Sequence, residues 1–173
     1  SGTVEGSKVK GLARTTINRG NGSAVTVRGA GFVRNNEMDD FASKPGTPNA
    51  FGLVQGEANK IEPGKRPLSS MSPTIIFRDG KPWLATGSPG GSVIISTVVQ
   101  MALNTMEFDM NVATAAAAPR IHHQWMPDVL QMEEGFSVDT VRLLQGMGHP
   151  VSISDRTTGC TSSIMLEDGW LLG

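Results

Sequence analysis

A chain of 173 residues with 38% hydrophobic and 18% charged side chains has the length of one domain and enough apolar material for a packed core, which excludes wholesale disorder. The 15 basic and 16 acidic residues leave a formal charge of -1, so nothing marks the basic face that a nucleic-acid partner needs. No apolar run approaches the roughly 18 residues of a membrane span.

The first residues, Ser1 to Lys8, lack the apolar segment of a signal peptide. The lone Cys160 excludes an internal disulfide. Tyrosine is absent and aromatics total 5%, so Val, Ile, Leu, Met and Ala must fill the core.

In chain order, Glu5-Gly6-Ser7 separates two short stretches and gives a weak hairpin signal. Pro45 to Pro67 is rich in proline and glycine and predicts a long loop, which in a compact domain usually carries function. Thr74 to Phe77 and Trp83 to Thr86 flank Asp79-Gly80, the strongest short-range hairpin cue. A helix is expected over 92–106, apolar on most sides and therefore buried. Asn111 caps a second helix running through Ala118 and stopped by Pro119. Ser137 caps a third, 138–145, closed by Gly146 and Gly148. Asp168-Gly169 joins Ser162–Leu166 to Trp170–Leu172 as a second strong hairpin. Antiparallel strands rather than βαβ units, with interspersed helices, predict an α+β class and a single domain over 1–173.

Three segments carry possible chemistry. Pro89-Gly90-Gly91 turns the chain into a helix, where unpaired N–H groups and the positive dipole end suit an oxyanion; an ordinary helix start has the same sequence. Glu37, Asp39 and Asp40 in a loop suit an ammonium group, a metal or water, and their spacing is not that of a calcium loop. With Ser69 and Ser70, whose hydroxyls could grip a carboxylate, an ammonium partner fits better than a metal. A solvated acidic turn beside a serine-rich loop is the plain alternative. His122-His123 resembles a ligand pair, but neighbours on a strand point to opposite faces, so structural hydrogen bonding is expected and no metal site. Cys160 reads as a small hydrophobe rather than a nucleophile. No cofactor is implied.

Together these segments resemble the small subunit of the γ-glutamyltransferase (glutathione hydrolase) family from about Thr16 to the C-terminus. The matching text is Thr16-Ile17-Asn18, Asn35-Asn36-Glu37-Met38-Asp39-Asp40-Phe41, Lys44-Pro45-Gly46, Lys65 through Thr74, Thr86 through Ser92, and Pro119 through Trp125. The resemblance implies an N-terminal nucleophile hydrolase, an αββα sandwich, cut from a precursor whose new N-terminal threonine attacks a γ-glutamyl amide. It implies that Thr16 and Asn18 orient that nucleophile. Glu37 and Asp40 hold the α-amine, Ser69 and Ser70 the α-carboxylate, and Gly90 and Gly91 the oxyanion. The implied partners are the large subunit of the same precursor, which adds an arginine to the carboxylate site, and a γ-glutamyl substrate such as glutathione. A periplasmic or extracellular location is implied too, and an isolated chain is expected to form a homo-oligomer.

The family's opening Thr-x-His-x-Ser-Val-Val is not found, and a stretch beyond Gly173 is absent, so a divergent or truncated start and a truncated end are expected. A hydroxyl nucleophile of this class needs its own α-amine as base. Three readings of the nucleophile stand open: Thr3, Ser1, or a threonine just upstream of this chain. With the last, the chain is a non-catalytic fragment that keeps the γ-glutamyl pocket.

Overall fold

The computed structural model describes residues 3–5, 8–10, 26, 28–29, 31, 37–49, 51–155 and 157–173. They fall into two compact units, one from residues 1–50 and 54–69 and the other from 51–53 and 70–173.

In the first unit, strands β1 (Thr3–Glu5) and β2 (Lys8–Lys10) pair antiparallel with Val4 opposite Val9, as the weak hairpin signal implied. Two 3-10 turns follow, Glu37–Asp40 and Glu57–Asn59. The predicted long loop is held by isolated bridges, Ala42 with Lys60 and Pro48 with Val54. Phe41 and Ala42 are buried beneath it. Lys60 pairs with Glu57 at 3.3 Å and with Glu62 at 3.5 Å, and Lys65 with Glu62 at 3.4 Å.

In the second unit, β3 (Thr74–Arg78) and β4 (Lys81–Gly87) form the predicted hairpin. Its turn residues Asp79 and Gly80 both take positive φ, 52° and 74°, the arrangement that matches the twist of paired strands. Strands β8 (Ser162–Glu167) and β9 (Trp170–Leu172) repeat the device around Asp168 and Gly169, giving a four-stranded antiparallel sheet ordered β3-β4-β8-β9.

Helix α1 spans Val93–Met106 and α2 spans Val112–Ala117. Asn111 Oδ1 caps α2 by accepting from the Thr114 N–H at 2.8 Å. Leu84 and Met165, paired across β4 and β8, pack with Met101, Val112 and Ala115 into the core between helices and sheet.

The faces of α1 divide by fours, as side chains spaced i, i+4 must. Ile94, Thr97, Val98, Met101 and Thr105 are buried, whereas Ile95, Val99, Leu103 and Met106 are exposed. The expectation that the whole helix is buried therefore fails for this chain: the stripe of Ile95, Val99, Leu103 and Met106 is exposed. Its third stripe, Ser96 and Gln100, is polar and docks on β5 (Ile121–His122). Gln100 works like a strand neighbour there, donating to Ile121 O at 2.7 Å and accepting from Ile121 N at 2.9 Å.

A second sheet of three strands, β5, β6 (Leu130–Glu133) and β7 (Val151–Ser154), is mixed. β5 and β6 are antiparallel, but β6 and β7 run parallel in the register Leu130 opposite Val151. Helix α3 (Val138–Gly146) connects them, a βαβ unit that corrects the reading of antiparallel strands alone. Its predicted cap holds, since Ser137 Oγ accepts from the Thr140 N–H at 3.1 Å. No helix among the described residues is long and apolar enough to cross a membrane.

Candidate functional site

The glycine turn at the start of α1 is shaped by its neighbours. Gly90 and Gly91 take φ of 142° and 60°, conformations that side chains with a Cβ rarely adopt. Space is equally restrictive: a Cβ on Gly90 would sit 2.5 Å from Val93 Cγ2, and one on Gly91 would sit 2.7 Å from Phe51 Cε1. The turn carbonyls accept from the first helical amides, Val93 N to Gly90 O at 3.3 Å and Ile94 N to Gly91 O at 3.2 Å. No described residue accepts from the N–H groups of Gly90 or Gly91 themselves. They stand at the positive end of a 14-residue helix, which can stabilise negative charge on an oxygen.

Two braces hold this turn. The first is Gln124, whose carboxamide uses all four of its hydrogen-bonding positions. Nε2 donates to Phe51 O and Met126 O, both at 3.0 Å. Oε1 accepts from Ser92 Oγ at 2.8 Å and faces His122 Nε2 at 3.0 Å. With Oε1 an acceptor, His122 Nε2 must carry a proton and donate. In the neutral ring Nδ1 is then the acceptor, taking the Ser96 hydroxyl proton over 2.8 Å. His122 is buried and structural. His123 points the other way, its Nε2 bonded to Asp128 Oδ1 at 3.0 Å.

The second brace is the loop 157–160. Cys160 N donates to Ser88 Oγ at 3.0 Å, and Thr97 Oγ1 donates to Thr158 O at 3.0 Å. Gly159 lies so close that a Cβ would meet Thr97 Oγ1 at 2.6 Å and Ser88 Oγ at 2.7 Å. Beneath the loop lies an ion pair, Arg120 Nε to Glu133 Oε1 at 3.6 Å, with side chains 7% and 10% exposed. Arg120 donates to Thr158 O at 3.0 Å and Ala116 O at 2.8 Å. Glu133 accepts from Arg120 N at 2.9 Å and from Thr158 N. Both main-chain polar groups of Thr158 are thus held by one charged pair.

Of the remaining predicted residues, Glu37, Asp39, Asp40 and Ser69 belong to the first unit and Ser70 to the second. Asp40 ends the 3-10 turn that Glu37 begins; for Glu37 and Asp39 only the main chain is described. Asn59 Nδ2 donates to Asp40 O at 2.6 Å and to Gln55 Oε1 at 2.5 Å. Its Oδ1 accepts from Leu68 N at 3.0 Å. One carboxamide therefore ties the acidic turn to the residue preceding Ser69. The Ser70 carbonyl accepts from Ser72 Oγ at 3.2 Å within the second unit. Ser1, Thr16 and Asn18 lie outside the described residues, and Thr3 is described only as main chain in β1.

Sequence reasoning passed over Asn59, Gln124 and the Arg120–Glu133 pair. Arg120 and Gln124 lie in the Pro119 to Trp125 segment already singled out, but their partners are distant in sequence, so only the fold reveals their roles.

The chain matches the family described as Gamma-glutamyltranspeptidase over residues 13–173. It is 54% identical over 159 residues to the glutathione hydrolase proenzyme of Escherichia coli K12, covering 91% of this chain and 27% of that protein. Among solved structures it resembles the Helicobacter pylori gamma-glutamyltranspeptidase T380A mutant, with a TM-score of 0.83 and 43% identity over 99% of this chain and 94% of that one. An acivicin-inhibited gamma-glutamyltranspeptidase gives a TM-score of 0.82 and 45% identity, covering 95% of this chain and 87% of that one. The chain spans about a quarter of the length of the curated relatives it matches.

Proposed function

Because the chain belongs to the γ-glutamyltranspeptidase family, we propose that it is the small-subunit part of an enzyme that cleaves γ-glutamyl amides such as glutathione. The observation that carries this reading is the Gly90–Gly91 turn, whose N–H groups have no acceptor among the described residues and stand at the helix start between two braces.

In this reading a threonine hydroxyl attacks the γ-carbonyl carbon, forming a C–O bond while the carbonyl electrons move to oxygen. Gly90 and Gly91 stabilise that oxyanion. The C–N bond then breaks, and the departing amine takes the proton that the nucleophile's α-amine had accepted from the hydroxyl. Water or the amine of an acceptor amino acid attacks the resulting ester, releasing glutamate or a new γ-glutamyl amide. Glu37 and Asp40 hold the substrate α-ammonium, and Ser69 and Ser70 its carboxylate. Thr16 and Asn18 orient the nucleophile. Thr3 is the candidate hydroxyl in this chain, although it precedes the residues that match the family and its nitrogen is acylated by Gly2, so it can act by this route only once the Gly2–Thr3 bond has been cut.

The partner is the large subunit of a common precursor. The exposed stripe on α1 and the outward side chains Ile75 and Ile164 of the four-stranded sheet supply apolar area that such a partner would cover. An isolated chain closes the same surface by self-association. A periplasmic or extracellular setting accompanies this proposal.

The test is release of p-nitroaniline from γ-glutamyl-p-nitroanilide, by the chain alone and by the chain assembled with a large subunit, followed by intact mass of the trapped intermediate. Turnover by the assembly alone, with a γ-glutamyl adduct on this chain, is the expected result. An inactive assembly, or enzyme-like rates from the single chain, would overturn it. Loss of the adduct in Thr3→Ala identifies the nucleophile; an undiminished adduct removes Thr3 from that role.

A further inference from the structure

We propose that Asn59 is a positioning residue that sets the spacing between the ammonium and carboxylate sites of the substrate pocket, and so the preference for an α-amino acid. The inference rests on the reading that Asp40 and Ser69 grip the γ-glutamyl α-carbon substituents.

An amino acid presents its ammonium and its carboxylate on a single carbon. Receptors for the two groups must therefore be held a few ångströms apart, with little tolerance, and loops do not hold such spacings unaided. Between residues 37 and 69 the described chain has only two 3-10 turns and isolated bridges. Asn59 is the junction of this region. Its side chain donates to Asp40 O at 2.6 Å and accepts from Leu68 N at 3.0 Å. Its main-chain carbonyl accepts from Ala42 N at 2.9 Å, and its own N–H donates to Gly56 O at 3.2 Å. The acidic turn is thus gripped on both sides, at residues 40 and 42, by the same residue that holds the residue before Ser69. The second Nδ2 proton goes to Gln55 Oε1 at 2.5 Å. Aspartate at 59 would keep the acceptor for Leu68 N but set a carboxylate oxygen against Asp40 O and Gln55 Oε1. The donor contact to Asp40 O, a fixed carbonyl, would become a repulsion with almost no change in volume, while the Gln55 carboxamide can turn over to donate.

The experiment compares two substrates on the assembled enzyme, γ-glutamyl-p-nitroanilide and glutaryl-p-nitroanilide, which lacks the α-amine. Asn59→Asp is expected to reduce the preference for the γ-glutamyl compound about tenfold or more. The loss should appear in KM, with kcat within about threefold, and kcat/KM for the glutaryl compound should change little. Asn59→Ala, which removes the same bonds without a charge, should shift the preference the same way and serves if the aspartate variant does not fold. Gln55→Met, which leaves the Asp40 and Leu68 bonds in place, should retain the parent preference. Unchanged preference in both Asn59 variants would overturn the inference, as would an equal loss in Gln55→Met. Glutamate binding measured by calorimetry separates the two readings. A parent that binds no glutamate defeats the functional reading, and this inference with it. A parent and an Asn59→Asp variant that bind glutamate equally defeat this inference alone.

Discussion

Replacing Arg120 by methionine is expected to destabilise the chain by about 4 kcal/mol. Removing one member of a buried ion pair typically costs ~3–5 kcal/mol, because the survivor stays desolvated. Here the survivor is Glu133, 10% exposed. It keeps two amide donors, Arg120 N and Thr158 N, which places the electrostatic loss near the lower end of that range. Ala116 O loses its guanidinium donor, adding roughly 1 kcal/mol for a carbonyl left without a partner, whereas Thr158 O keeps the Thr97 hydroxyl. The methionine stem recovers part of the lost packing. Since whole domains have ~5–15 kcal/mol of stability, this single change should move the urea midpoint conspicuously in circular dichroism. Glu133→Gln is the counterpart. Its amide nitrogen must face one of the two N–H donors, so it too should destabilise, and the double variant should fall short of the sum of the singles by ~1–3 kcal/mol. A loss below ~1 kcal/mol for Arg120→Met, or strict additivity, would show that the pair does not clamp the 157–160 loop.

Gln124→Glu keeps the Ser92 and His122 contacts but turns the two donors on Phe51 O and Met126 O into repulsions. In the assembled enzyme kcat should drop roughly ten- to a hundredfold as Phe51 and the glycine turn lose register; an unchanged kcat refutes that brace. On the surface, the hydrogen bond from Lys65, then its charge, holds the Glu62 carboxyl below its ordinary value. Whatever stability this contributes is present above the unfolded carboxyl pKa and lost as pH falls through the folded one. The melting-temperature difference between parent and Lys65→Met should therefore be small at neutral pH and vanish in acid; a difference independent of pH would refute the pairing.

What could be read in advance follows from the range of the interactions. The hairpins at Asp79-Gly80 and Asp168-Gly169 and the caps at Asn111 and Ser137 are decided within a few residues, so the local text states them. The pairing of β6 with β7 depends on a crossover through α3, and β5 has only two residues; neither produces a periodic signal. α1 was misjudged for a related reason. Its apolar sides cannot be told apart without knowing that the Ser96 and Gln100 stripe docks on β5 and that Ile95 and Val99 face outward. At the candidate site, the glycine turn was visible because glycine pairs announce backbone demands. Asn59 and Gln124 were not, because a carboxamide acquires its meaning only from partners that the fold brings to it. The family fold, that of an N-terminal nucleophile hydrolase, was legible from the ordered set of segments together.

The aromatic inventory gives this chain an optical character of its own. With no tyrosine and three tryptophans, its near-ultraviolet emission is purely indole. Trp125 and Trp170 are 70% and 73% exposed, while Trp83 lies partly buried beside the core with the Arg78 guanidinium 3.6 Å from its ring centre. Two lamps thus face solvent and one is shaded beneath a cation. When a companion polypeptide or a second copy settles over either outer indole, its fluorescence shifts to shorter wavelength without any label, so the molecule reports its own assembly.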